Sequence, residues 1–304
     1  MRFWVGVTDK DWFDFLRVRS PDEVNFWQPS AKALATFLEP GVPFLFKLHS
    51  PNDFIVGGGF FLRFSALPAR LAWEAFGQNN GVADYDSLKR RIERYRGEPI
   101  RGDPEIGCNV LNAPFFFAEK DWIPVPEDWA RNIVRGKTYD TATNNGLRLW
   151  NQVEARLKES ARETVGAAEG ARYGADYLTR ARLGQGAFRV LVTEAYQRRC
   201  AVTGERTLPV LEAAHIRPCS ESGPHLVSNG MLLREDLHTL FDGGYLTVTE
   251  DLRVEVSRRI KDEFENGREY YAHHGKPLRM LPTAAEDRPS ADFLRWHNSK
   301  VYLG

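Results

Sequence analysis

The run Val210-Leu-Glu-Ala-Ala-His-Ile-Arg-Pro218, followed by Ser228-Asn-Gly-Met-Leu-Leu-Arg234 and Glu235-Asp-Leu-His-Thr-Leu-Phe-Asp-Gly-Gly244, decides the reading of this chain. Val210–Ile216 is apolar and bounded by Pro218, the pattern of a short buried strand. Residues 217–228 carry Pro, Ser and Gly and read as a loop. Asn229–Arg234 reads as a second strand, and Glu235–Asp242 as a short helix stopped by Gly243-Gly244. Two strands and a helix bring His215, Asn229 and His238 together. Asp242 follows His238 by four residues, so on a helix both side chains share one face.

This order of strand, loop, strand and helix, with His, Asn and His in sequence, resembles the ββα-metal fold of HNH endonucleases. The resemblance covers about Gly184 to Tyr302, including Cys200-Ala-Val-Thr-Gly204 upstream and Phe293-Leu-Arg-Trp-His297 near the end. It implies metal-dependent phosphodiester hydrolysis, which needs an activated water, neutralised phosphate charge and help for the departing oxygen. The resemblance implies His215 as general base, since an imidazole titrates near working pH. It implies His238 as a metal ligand and Asn229 as the residue that fixes the strand–loop geometry and, through its amide, the His215 ring. Asp242 is the candidate second ligand, and Mg²⁺ or Mn²⁺ the expected ion. Taken singly, a buried His is more often structural, and Asp242 would serve to close a helix end; the combination carries the assignment.

Two departures qualify the match. Many HNH nucleases place an Asp before the first His, where it binds the metal; this chain has Ala214. Glu212 lies on the same strand face by period-two alternation and is the alternative ligand, or else a solvated strand residue. Cys108, Cys200 and Cys219 stand alone, without Cys-x-x-Cys spacing, so no structural zinc is expected.

At 304 residues the chain is long enough for two domains with cores of their own. Three cysteines without framework spacing suit a reducing compartment. The opening Met-Arg-Phe-Trp-Val-Gly-Val-Thr does not read as a signal peptide, and no stretch has the length of a membrane span. The expectation is a soluble, cytoplasmic protein. Lys plus Arg equals Asp plus Glu, at 41 each, which predicts weak non-specific DNA affinity and an enzyme licensed by a recognition domain.

Residues 1–136 are aromatic-rich, with short apolar runs at Phe3–Val7, Pro43–Leu48, Phe54–Phe64 and Gly107–Phe117. These read as strands of a barrel-like sheet, with short helices at Leu71–Gln78 and Ser87–Tyr95. Residues 137–184 read as a helical linker: Leu147, Trp150, Val153 and Leu157 recur at helical spacing, and Gly166–Gly184 reads as a hinge. Residues 185–304 then hold the nuclease domain, with a hairpin around Thr249-Glu-Asp251 and a final helix capped by Ser290. The predicted class is α+β.

Phe3-Trp-Val-Gly-Val-Thr8, Asn25-Phe-Trp-Gln-Pro-Ser30, Pro43-Phe-Leu-Phe-Lys-Leu-His-Ser50 and Phe54-Ile-Val-Gly-Gly-Gly59 appear in the order of an EVE domain. That resemblance places the N-terminal half with the PUA-like superfamily, alongside SRA and YTH domains, whose small barrels accept a flipped modified base. It puts Trp27, His49 and Ser50 in the base pocket, with Asn112 as a further polar candidate; each alone has a structural alternative in core packing, a turn or a bulge. Joined to an HNH half, such a reader resembles modification-dependent restriction endonucleases, a bacterial antiviral defence. DNA with a modified base, of cytosine type, is then the expected partner. A homodimer is expected for double-strand cleavage, because one HNH site cuts one strand. The alternative is a nuclease effector whose N-terminal domain senses a nucleotide or protein signal.

Overall fold

A computed structural model describes residues 1–164 and 183–304, which fall into two compact units on either side of the intervening segment. The hinge expected at Gly166–Gly184 lies outside the described residues except for its last two positions. Among the described residues, no helix is long and apolar enough to cross a membrane.

The first unit is built on one sheet with β1 (Arg2–Thr8), β2 (Glu23–Gln28), β3 (Pro43–Leu48), β4 (Phe54–Pro68), β5 (Glu105–Phe116), β6 (Ile123–Pro124) and β7 (Gly136–Asp140). The strand order is β2-β5-β4-β3-β1-β7, with β6 paired to β4. β1 runs parallel to β3 and antiparallel to β7. Among the described residues the path does not close on itself, so the expected barrel is replaced by an open sheet covered on both faces. Alternation along the strands explains the two layers. Trp4, Phe44 and Phe46 point to one face, where they meet Trp12, Phe13 and Leu16 of helix α1 (Lys10–Arg19). Phe3, Val5 and Leu45 point to the other, against Leu149, Val153 and Leu157 of α4 (Asn144–Thr164). Residues 137–160, read in the sequence as the start of a connector, thus supply a strand and a covering helix to this unit.

Helices α2 (Ala69–Phe76) and α3 (Tyr85–Arg96) lie between β4 and β5. The glycine run in β4 has a steric cause. A Cβ at Gly58 would sit 2.6 Å from the Phe115 ring and 2.8 Å from the Phe44 carbonyl. Glycine there lets β5 cross closely beside a register shift between Gly58 and Phe60.

The second unit opens with α5 (Gln185–Ala195) and continues through β8 (Leu211–His215), β9 (Gly230–Arg234) and α6 (Glu235–Asp242). β8 and β9 form a two-stranded antiparallel sheet in which His215 pairs with Gly230. The expected hairpin is β10 (Leu246–Val248) with β11 (Val254–Val256). Two short helices follow, α7 (Arg259–Phe264) and α8 (Arg268–Tyr271), and then α9 (Ala291–Lys300). Ser290 occupies the N-cap position of α9, although its side chain makes no capping bond. The core joins Phe188, Val192 and Tyr196 to Leu211, Ala214, Ile216, Met231, Leu233, Leu237, Phe241 and Leu294. Apolar positions of α5, both strands, α6 and α9 therefore fix the motif from several sides.

Candidate functional site

Gly230 lets α5 rest on the strand pair: a Cβ there would lie 2.6 Å from Val192 and 2.8 Å from the Phe188 ring. That close approach lays Phe188 flat on His215, with ring centroids 3.8 Å apart and planes 11° from parallel. The imidazole sits at the end of β8, held by a hydrophobic face rather than by a carboxylate. Burial, and next the neighbouring His225, push its pKa down to about 4. His215 is therefore neutral at neutral pH.

His225 and Cys219 are residues the sequence reading left without a role. His215 Nε2 lies 2.9 Å from His225 Nδ1, and His225 Nε2 lies 3.4 Å from Cys219 Sγ. The three side chains bring one donor atom each within 4.8 Å of the others. The available signal was modest: two of only seven histidines, ten positions apart, across a loop pinched by Pro218 and Pro224.

Asn229 is fully buried and makes its side-chain bonds to loop backbone. Its Oδ1 accepts from the Arg217 amide at 2.9 Å. Its Nδ2 donates to the carbonyls of Arg217 at 2.9 Å and Pro224 at 2.8 Å. A backbone bond from Ile216 N to Asn229 O, 2.9 Å, adds a further tie. The amide thus clamps both ends of the 217–224 loop, and through them the strand end that carries His215. It reaches the loop and not the imidazole ring.

His238 projects from α6 between two carboxylates. Its Nδ1 lies 2.6 Å from Glu212 Oε2, and its Nε2 lies 3.3 Å from Asp242 Oδ2. Burial alone would lower its pKa, but Asp242 and Glu212 outweigh it and raise the value. The donor set fits a divalent cation. Two ligands at roughly 2.0–2.2 Å from one ion stand about as far apart as His238 Nε2 and Asp242 Oδ2. Glu212, on the other ring nitrogen, stands where an outer carboxylate would orient the imidazole if His238 held an ion. Ala214, by contrast, is fully buried in the core and offers no donor.

α6 is itself anchored from behind. His297 of α9 stacks on Phe241 with centroids 3.8 Å apart. Its Nε2 lies 3.1 Å from the Phe241 carbonyl, and its Nδ1 lies 2.8 Å from Thr247 Oγ1.

The first unit holds a separate cavity of about 340 Å³, whose lining includes Asp9, Trp12, Phe26, Trp27, His49 and Tyr95. Trp27 donates from Nε1 to the Asn80 carbonyl at 3.0 Å and meets Tyr95 edge to face at 6.0 Å. The Tyr95 hydroxyl donates to Asp9, and His49 Nε2 lies 3.7 Å from the same carboxyl group. Burial, and then Asp9, push the Tyr95 phenol upward, so it stays protonated. Trp27 and His49 thus reach the cavity together. Ser50, though adjacent in sequence, is not among the lining residues; it bonds to Asp53. Asn112 is buried in β5, opposite Glu23 and Phe60, and accepts from the Ala113 amide at 2.8 Å. That bond serves a backbone with positive φ at Ala113, away from the cavity. Asp9 and Tyr95 were missed because each is an ordinary residue until α1 and α3 bring them together.

Comparison with known proteins bears mainly on the second unit. The family profile described as HNH endonuclease matches residues 200–249. No curated protein matches the sequence. Among solved structures, a modification-dependent TagI restriction endonuclease is 16% identical and covers 92% of this chain and 75% of its own, with a TM-score of 0.30. The ASCH protein of Zymomonas mobilis is 10% identical and covers 48% of this chain and 96% of its own, with a TM-score of 0.32. The type IV phosphorothioation-dependent restriction endonuclease ScoMcrA is 12% identical and covers 78% of this chain and 51% of its own, with a TM-score of 0.19. The matched segment contains His215 at the end of one strand, Asn229 just before the strand paired to it and His238 on the following helix, and residues 200–249 are an HNH endonuclease domain.

Proposed function

We propose that this chain is a modification-dependent DNA endonuclease whose first unit reads a modified base and whose HNH domain cuts the backbone. The observation that carries the reading is the aromatic cavity with a polar edge. Trp27 and Tyr95 offer surfaces on which a flipped base stacks, over a floor formed by buried Trp12 and Phe26. The Asp9 carboxylate beside them can accept from an exocyclic amine, which favours a cytosine derivative over thymine. The cavity's size is that of a small-ligand site.

In the HNH domain, neutral His215 takes a proton from the attacking water while Phe188 fixes the plane of its ring. The water oxygen bonds to phosphorus as the bond to the 3′ oxygen breaks, leaving a 5′-phosphate and a 3′-hydroxyl. His238 and Asp242 would hold a divalent ion such as Mg²⁺ or Mn²⁺, with Glu212 orienting the imidazole, and that ion would supply positive charge to the phosphate and the departing oxygen. Asn229 holds the loop behind His215 in place. One such site cuts one strand, so a double-strand break takes two copies of the chain.

Arg91 and Arg135 also line the cavity, and they favour a second reading in which a phosphorylated nucleotide messenger is the ligand and cleavage is an effector response. A single assay separates the two. The full chain is given DNA containing modified cytosine, the same DNA unmodified, and unmodified DNA with nucleotide messengers. Cutting confined to modified DNA, with discrimination lost in Trp27→Ala, supports base reading. Cutting of unmodified DNA only when a messenger is added overturns it.

A further inference from the structure

We propose that His215 Nε2, His225 Nδ1 and Cys219 Sγ form a binding site for a soft divalent transition ion of the zinc class, and that filling it switches off cleavage. The His215–His225 contact is 2.9 Å, His225 Nδ1 lies 3.8 Å from Cys219 Sγ, and all three donor atoms lie within 4.8 Å of one another. Zinc holds imidazole nitrogen at roughly 2.0–2.1 Å and thiolate sulfur at roughly 2.3 Å, which sets neighbouring donors about 3.3–3.6 Å apart; the two ring nitrogens therefore part by a few tenths of an ångström and Sγ closes slightly to bring all three onto one ion. The ligand types select the metal. Two imidazoles and a thiolate suit zinc, whereas the carboxylate-flanked His238 site suits a harder ion. Cys219 and His225 belong to an exposed loop and a partly exposed ring, so an ion reaches them without unfolding.

The link to cleavage rests on the reading of His215 as the base. An ion on Nε2 of a neutral imidazole leaves the remaining ring proton on Nδ1. The ring then has no lone pair with which to take a proton from water. Binding releases the thiol proton of Cys219 to solvent, and one thiolate with two neutral imidazoles leaves a single net positive charge on the site, which a solvent hydroxide or anion in the fourth position can offset. The two metal sites thus act in opposite directions: the harder ion supports the reaction and the soft ion removes the base.

The test uses the full chain and cobalt(II) as a spectroscopic stand-in for zinc. Wild-type protein should bind cobalt with a thiolate-to-metal charge-transfer band in the near ultraviolet that saturates at one equivalent of the thiolate-bound ion and is displaced by zinc. Cys219→Ala and Cys219→Ser should both lose the band while their thermal unfolding stays that of the wild type. In parallel, zinc should inhibit Mg²⁺-supported DNA cleavage reversibly. The zinc needed for half-inhibition should rise more than about a hundredfold in Cys219→Ala, beyond the roughly 10–100-fold that losing an outer-sphere partner gives. No charge-transfer band in the wild type overturns the site. A band with zinc inhibition unaltered by Cys219→Ala overturns the coupling to cleavage. His215→Ala that still cuts DNA refutes the base reading by itself, since the cobalt spectrum does not depend on catalysis.

Discussion

Replacing Asn229 by Ala tests whether the amide acts as a loop clamp. The substitution removes three hydrogen bonds at 2.8–2.9 Å from a side chain with no solvent exposure. It leaves the part-buried Arg217 amide and carbonyl without their side-chain partner. The Pro224 carbonyl belongs to an exposed residue and recovers a water bond. At about 1 kcal/mol per net bond, plus a desolvation penalty at Arg217, the loss is about 3 kcal/mol. For a cooperative unit of this size that corresponds to a fall in Tm on the order of 10 °C. Asn229→Asp should be no better, because its carboxylate keeps one acceptor but faces two carbonyl oxygens that need donors. Calorimetry of the full chain reads the stability, and the rate of cleavage should fall with it as the His215 strand end loosens. A Tm for Asn229→Ala within about 2 °C of the wild type, a shift too small for three lost bonds, would refute the clamp. So would wild-type stability in Asn229→Asp.

Other expectations concern chemistry and pH. His215→Ala should reduce cleavage by two to four orders of magnitude, roughly the contribution of a general base, with Tm nearly unchanged; residual activity near wild type removes the assignment. Activity should vanish with EDTA, and Asp242→Asn should raise the Mg²⁺ or Mn²⁺ concentration for half-maximal rate, whereas an unchanged titration returns Asp242 to a helix-end role. Glu212→Gln should weaken metal affinity by about 10–100-fold, as for outer partners of a metal-bound histidine, measured by the same titration. His297 is held at about 4 chiefly by burial, against an ordinary 6.5. Between those values the unfolded chain binds the extra proton, so stability is intact above pH 6.5 and falls as pH drops toward 4. The loss is roughly 3 kcal/mol at ~1.4 kcal/mol per unit. His297→Gln should flatten that slope in a Tm-against-pH series; an identical slope would place the titration elsewhere.

The second unit was legible in the sequence because its signals are local. The apolar stretch before His215, the Asn-Gly start of β9 and the Gly-Gly stop after Asp242 each act within a few residues, and the strands, helix and hairpin fall where these signals put them. The first unit yielded its strands but not its closure. Trp12, Phe13, Phe15 and Val18 are good strand formers, so α1 was hidden among them; its helical form depends on burying Trp12, Phe13 and Leu16 on one sheet face. Whether strands close into a barrel depends on which edges meet, and no short-range pattern encodes that. Strand alternation marked Glu212 as a candidate ligand, but that its carboxylate meets the far ring nitrogen of His238, 26 residues away, follows only from the tertiary packing of the helix on the strand pair.

The stacking of Phe188 on His215 and of His297 on Phe241 sets the smallest piece of this protein that can work as a transplantable nuclease. Both rings lie outside residues 200–249, one before the matched segment and one after it. An excised 200–249 fragment would retain every motif residue yet lack the ring stacked on His215 and the buttress under α6, which carries His238. A graft intended to give another protein this cutting activity therefore has to begin no later than α5 and continue through α9.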